Sequence, residues 1–253
     1  MNQITPQDMM ALQYDATSYK AMEAVPLLLD IVNEEGLNEM GTDIIKELKN
    51  WDYVYTPDSK AASYFNRWWS NIYYSTFDEI VSIRDEMEVI YPQSSVLVKM
   101  LTEDRHGEFF DLDSTTVIED ANYVVNAAFT KTIADLEEKL KTSDLQWSNY
   151  QKKSINHLAR IGAFSHTGIH APGHGDALNA YGSTAGPSWR MVVSMDEQVT
   201  AKVIYPGGQD GNPGNKHYDD MIDRWVEGGY YDAHFVTKKE ALNKHKSSSI
   251  TFN

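Results

Sequence analysis

The chain has 253 residues, 42% apolar and 11% aromatic, with six tryptophans and fifteen tyrosines; it can close a sizeable core and is too rich in core-forming side chains to be disordered. Its formal net charge of −15, from 37 acidic against 22 basic residues, argues against sequence-independent binding to nucleic acid or anionic membranes, which need basic surface. It contains no cysteine, so disulfides and thiolate metal ligands are excluded, and no apolar run approaches the ~20 residues of a membrane-spanning helix.

Residues 1–150 read as mainly helical. Thr5, Pro6 and Asp8 make a helix start, with a Thr cap, proline in the first position and an acid in the first turn. The spacing predicts a long amphipathic run from there to about Val32, kinked or broken near Pro26. Asp8, Asp15, Lys20 and Glu23 interrupt this stretch, which does not read as a signal peptide. Helical periodicity returns over residues 43–48, 60–81 and 115–140, with residues 33–41 and 103–114 as polar connectors. In the second of these helices Phe65, Trp68, Trp69, Ile72 and Tyr73 share a face beside Tyr74. Core or interface packing is the commoner meaning of such a stripe, and a groove for an acyl chain is the other. In the third, Val117, Ala121, Val124, Val125, Ala128 and Ile133 form an apolar stripe.

From Ile155 onward short β-type runs alternate with turns, so residues 151–253 read as a β-rich region and the fold class as α+β. Residues 188–195 and 199–205 predict a hairpin across an Asp-Glu turn. The next ten residues, PGGQDGNPGN, hold four glycines and two prolines, and positive φ is expected at Gly207, Gly208 and Gly211. Residues 217–228 return to helical spacing, with Tyr218, Met221, Ile222 and Trp225 on one face. The last residues, 244–252, read as a tail that frays or pairs at an edge.

Three constellations invite chemistry. His166, His170 and His174 are four residues apart, a zinc-like spacing if they lay on one helix. Gly168, Pro172 and Gly173 break any such helix, and surface or turn histidines are expected. The glycines at 207–214 lack the strand-to-helix context of a phosphate loop, and Asp210, Asn212 and Asp219 lack EF-hand spacing. Arg190 lies in an apolar strand and needs a partner, with Asp176, Asp219 and Asp223 as candidates. The expectation is an anchor for the final helix, with a wall of an active site as the other reading.

The segment 185–230 carries a resemblance. Gly186, Pro187, Ser188, Trp189, Arg190, Met191, Val192 and Val193, then Pro206, Gly207, Gly208, Gln209, Gly211, Asn212 and Pro213, then Tyr218, Asp219 and Trp225 resemble the C-terminal end of the penicillin acylase family of N-terminal-nucleophile amidohydrolases. The stretch GHGDALNA at 173–180, with Gly173, Asp176 and Asn179, extends the match; His174 stands where the family has a second glycine. His157 falls where the family places a histidine at the start of its final sheet region, and residues 5–29 resemble a family helix. The resemblance implies part of a four-layer αββα fold, two sheets between helical layers, whose partner strands come mostly from elsewhere in the enzyme.

It also implies a chemistry. A precursor cleaves itself to expose an N-terminal serine, whose hydroxyl attacks an amide while its own α-amine, titrating near pH ~8, accepts the proton. The serine, an oxyanion-stabilising asparagine and an arginine lie upstream of the matching segment. This chain begins Met1-Asn2-Gln3, and loss of Met1 would expose Asn2, which is no nucleophile. The expectation is the C-terminal half of a β subunit, inactive alone and carrying no catalytic residue. Gly173, Asp176, Asn179, Arg190, Gln209, Asn212 and Asp219 are its structural or cleft-wall candidates. The implied partners are the rest of the precursor and a small N-acyl substrate such as an acylated β-lactam or acyl-homoserine lactone. No cofactor and no metal is implied for this segment, calcium belonging at most to the intact parent, and export to the periplasm or beyond is implied for that parent. The rival reading is a stand-alone, non-catalytic binding protein that reuses this half of the fold.

Overall fold

The computed structural model describes residues 4–84, 86–112, 115–184, 186–235, 243, 244, 246 and 249–251. Met1, Asn2 and Gln3, and His245, Ser247, Ser248 and Phe252 of the expected tail, lie outside the described residues. The architecture is α+β, with helices first and short strands after. The helices are α1 (Pro6–Gln13), α2 (Tyr19–Ile31), α3 (Glu39–Lys49), α4 (Lys60–Thr76), α5 (Asp78–Ile83), α6 (Ser94–Glu103), α7 (Ala121–Leu140), α8 (Trp147–Gln151) and α9 (Ile222–Val226). The strands are β1 (Lys153–Ile155), β2 (His166–Ile169), β3 (Arg190–Ser194), β4 (Thr200–Ile204) and β5 (Tyr231–Ala233). They gather into two units, each built from discontinuous sequence: residues 16–153 with 168–183, and residues 1–15 with 154–167 and 184–253. The chain passes between the units within β1 and β2.

The first unit, 16–153 with 168–183, is a helical body organised around α4. Ala61, Ala62, Tyr64, Phe65, Trp68, Trp69 and Ile72 are all buried, so the aromatic stripe is core; Tyr74, one position off the face, is exposed. Helix α4 packs along α7, where the Trp68 ring lies 4.7 Å from Phe129 and its indole N–H donates to the Val125 carbonyl at 3.1 Å. Burial of each large side chain contributes roughly 1.5–3 kcal/mol. Polar ties reinforce the α4–α7 seam: Arg67 meets Asp135 at 2.6 Å, and Asn71 donates to Thr132 and Asp135, each at 3.0 Å. Capping side chains start the helices: Ser18, Asn38, Ser59 and Asp120 each accept a first-turn backbone N–H.

Several sequence expectations shift here. The long first helix is two helices divided at residues 14–18, where Ser18 caps α2 and Thr17 bridges Val54. Pro26 sits inside α2 without breaking it, because burial of Ala21, Ala24, Val25 and Leu28 outweighs one lost backbone bond. Helix α7 begins at Ala121, since Asp120 caps it at Tyr123 N and the Ala121 amide donates to Arg105. Val117 is therefore 68% exposed and outside the stripe, which continues instead through Phe129, Thr132 and Leu136. Helix α6, unforeseen in the sequence, buries Leu97 and Leu101.

The second unit holds α1, the strands β3, β4 and β5, and α9. The expected hairpin is present: β3 pairs antiparallel with β4, Arg190 opposite Ile204 and Ser194 opposite Thr200. Strand β5 adds to β4 with Val203 opposite Tyr231, giving the order β3-β4-β5. Thr5 and Asp8 complete a capping box on α1, as the sequence indicated. The helix expected over 217–228 shrinks to α9, because side chains before it capture the backbone. Asp210, Asn212 and Asn215 accept the N–H groups of Asn212, Gly214 and His217 in successive turns. Of the three loop glycines expected at positive φ, Gly207 adopts it (+129°). Gly208 is required for a different reason: a Cβ there would stand 1.9 Å from the His217 carbonyl oxygen, and Gly211 meets neither condition.

Candidate functional site

In the helical unit, the sequence-flagged Gly173, Asp176 and Asn179 come together in one turn. Gly173 has φ +106°, its amide donates to the Tyr55 carbonyl at 2.9 Å, and an added Cβ would stand 2.2 Å from the Asn179 carbonyl oxygen. Asn179 is buried and donates to the Pro172 carbonyl at 3.1 Å, closing the turn from the other side. Asp176 then receives two partners, His174 Nδ1 at 2.9 Å and the Lys20 ammonium at 2.5 Å. The His174 hydrogen bond first, and the Lys20 charge after it, hold the Asp176 carboxyl well below the usual carboxylate range against the opposing effect of burial.

His174, flagged as a departure from the resembled pattern, is the hub of this cluster. Its ring stacks on Tyr55 at 4.6 Å and leans on Trp147 at 5.6 Å, and its Nε2 lies 3.1 Å from the Asn66 amide nitrogen. A carboxylate only accepts, so Nδ1 carries the proton toward Asp176 and Nε2 accepts from Asn66. The Asp176 amide, 3.3 Å from Nδ1, is the lesser claim on that nitrogen. The pair has the geometry of a carboxylate-oriented histidine, but the far nitrogen faces an amide donor and not a hydroxyl or thiol. Chemically, this arrangement orients the ring and clamps the turn.

Beside it lies a group that sequence reasoning missed. Lys153 is fully buried, and its ammonium donates to the carbonyls of Ala171 and Gly173, each at 2.8 Å, beneath the Tyr181 ring at 4.5 Å. The Trp147 indole N–H also donates to the Gly173 carbonyl, at 3.0 Å. Burial pushes the Lys153 amine down to about 7. A lysine in a polar run, KK before SIN, carries no local sign of burial, so only the fold reveals it.

In the sheet-bearing unit, Arg190 is buried. It donates to the Trp225 carbonyl at 2.9 Å and lies over the rings of Tyr14 (5.4 Å) and Trp225 (5.2 Å). Trp225 in turn donates to the Pro187 carbonyl at 2.9 Å, and the Tyr14 hydroxyl to the Val226 carbonyl at 2.6 Å. Arg190 therefore anchors α9 through a carbonyl and two ring faces. Asp219 faces His166 at 3.1 Å, and Gln209 and Asn212 are exposed on the glycine loop. His166 belongs to this unit, whereas His170 and His174 belong to the other. Among the described residues no three histidine, aspartate or glutamate side chains gather as a metal site.

The sequence pattern of the penicillin amidase family matches residues 1–241. The chain belongs to this family. No curated protein matches the chain. Among solved structures, a thermostable penicillin G acylase from Alcaligenes faecalis superposes with a TM-score of 0.60 at 12% identity, covering 94% of this chain and 47% of that one. At that identity the likeness speaks for the fold: this penicillin amidase family member has part of a penicillin acylase fold. It spans about half the length of the acylase chain it matches.

Proposed function

We propose that this chain is the C-terminal part of the catalytic subunit of an amidohydrolase of the penicillin acylase type. The complete enzyme hydrolyses the linear amide of a small N-acyl compound, an acylated β-lactam or an acyl-homoserine lactone. A serine outside these residues attacks the amide carbonyl, its α-amine takes the hydroxyl proton, the amine product leaves, and water releases the acyl group. The observation that carries this reading is the family match over residues 1–241 combined with coverage of only 47% of the acylase chain. The site geometry supports it, because His174 is engaged at both ring nitrogens by Asp176 and Asn66, and Arg190 is held by the Trp225 carbonyl and two ring faces. On this reading Arg190 and the Gly173–Asn179 turn are supports, the enzyme is exported, and its chemistry uses no metal.

The test is hydrolysis of a chromogenic phenylacetyl amide and of a long-chain acyl-homoserine lactone. The complete gene product should turn over at least one, and the 253-residue chain neither. Turnover by the chain alone, or by neither protein on a panel of N-acyl compounds, would overturn the reading; in the second case a binding role takes its place.

A further inference from the structure

The helical unit carries a cleft of about 780 Å³ between the α2–α3 connection and one face of α7, sharing no residue with the His174 cluster. That volume lies within the roughly 300–1,000 Å³ of small-molecule sites. Four asparagines line it: Asn33 and Asn38 from the connection, Asn122 and Asn126 one helical turn apart on α7. Asn126 ties the two walls together. Its Oδ1 accepts the Asn33 backbone N–H at 2.7 Å, and its amide nitrogen donates to the Ile31 and Asn122 carbonyls at 3.3 and 2.7 Å. Asn38 caps α3 and donates to Glu137 at 2.8 Å.

The other two amides are each held at one end. The Asn33 side-chain oxygen takes the Glu35 N–H at 2.9 Å, which leaves its nitrogen as a donor. The Asn122 nitrogen donates to the Asp120 carboxylate at 3.3 Å, which leaves its oxygen as an acceptor. Among the described residues none bonds to these two free ends, to the Tyr123 hydroxyl or to the Glu35 carboxylate, all of which belong to residues of the cleft. Phe129, Leu37 and Ile133 supply apolar lining, and the Tyr123 ring is 51% exposed.

We infer that this cleft binds a short neutral saccharide. Sugar hydroxyls both donate and accept, and the cleft offers a fixed donor, a fixed acceptor, a hydroxyl and a carboxylate that suits two neighbouring hydroxyls. The C–H face of a sugar ring packs flat on an exposed aromatic face, which Tyr123 supplies. No lysine or arginine lines the cleft, and Glu35 with the net charge of −15 disfavours phosphorylated or acidic sugars. Walls made of helix and turn give an extended peptide no strand edge to join. The amides are oriented before the ligand arrives, which lowers the cost of ordering them. This binding is separate from amide hydrolysis and does not depend on the function proposed above.

The test uses the complete gene product with maltotriose, cellotriose and tri-N-acetylchitotriose, each up to ~10 mM, by saturation-transfer NMR and titration. At least one should bind. Tyr123→Ala removes the stacking face, and Asn33→Asp keeps the acceptor for the Glu35 N–H while removing the free donor, so each should weaken binding roughly tenfold or more with the fold intact by circular dichroism. Retention on the matching insoluble polysaccharide, released by the trisaccharide, assigns a glycan chain end as the source; binding without retention assigns the free sugar, and both support the inference. No binding of any of the three, or binding that both variants leave unchanged, overturns it. Spermidine bound in place of the sugars, and lost in Glu35→Gln, makes the ligand a cation and overturns it as well.

Discussion

Lys153 makes the stability of the helical unit rise with pH. Its amine is fully buried among two carbonyls and an aromatic face with desolvation dominating, and its pKa falls from 10.5 to about 7. The unfolded chain keeps the ordinary value, so between about 7 and 10.5 it holds a proton that the folded chain has released. The folded-state value is depressed for a base, so the cost of burying the charge is fully present below about 7 and fades as pH climbs toward 10.5. Integrated between pH 7 and 9, the gain is about 2 kcal/mol, with a limiting slope near ~1.4 kcal/mol per pH unit. The window stops at 9 because buried tyrosines such as Tyr55 and Tyr64, whose hydroxyls burial pushes up, oppose the trend once unfolded tyrosine begins to ionise. Urea unfolding at pH 7, 8 and 9 should show the rise in wild type and a flat profile in Lys153→Met. At pH 7 the variant should be near parity: it loses the donors to Ala171 and Gly173, but no longer buries a charge, and Trp147 still serves the Gly173 carbonyl. Parallel profiles for the two proteins would refute the reasoning.

Gly173→Ala should cost about 3 kcal/mol or more, because the new Cβ meets a backbone oxygen at positive φ; a melting temperature within a degree or two of wild type would contradict it. Asp176→Asn should cost only about 1 kcal/mol, since the carboxylate is 37% exposed and screened. Its folded value is depressed, so the stability it adds is present above the unfolded pKa and is lost as pH falls through the folded one. Thermal unfolding from pH 5 to 2.5 should therefore decline less steeply in the variant. Arg190→Met should cost roughly 2 kcal/mol by removing the charged donor to Trp225, and Arg190→Lys should recover little because a compact ammonium does not replace a planar group between two rings. Tryptophan fluorescence during denaturation measures both.

What the sequence disclosed was local. The period of α4 put Phe65, Trp68 and Ile72 on one face, which is buried, and the two β-type runs at 188–195 and 199–205 announced the β3–β4 hairpin. Helix starts were legible where a side chain caps its own turn, as Thr5 does with Asp8. What escaped depends on partners far along the chain. Helix α6 has no side-chain cap on its first turn to mark its start. Pro26 misled because its cost is local while the burial that offsets it is tertiary. Gly173, Asp176 and Asn179 were flagged as structural or cleft-wall candidates, yet Lys20, Asn66 and Tyr55, which hold the turn they share, are about 108 to 156 residues away in sequence. His174 drew notice as an oddity in a glycine pattern, and only the fold shows it bonded at both nitrogens.

The central claim is that the nucleophile serving this chain lies outside it. The most direct measurement treats the complete protein, purified from its source, with phenylmethylsulfonyl fluoride and locates the sulfonyl adduct by peptide mass spectrometry while amide hydrolysis is followed. The account predicts loss of activity with a single adduct on an N-terminal serine of a polypeptide segment beyond these 253 residues. An adduct on a serine or threonine within them, tracking the loss of activity, would contradict it.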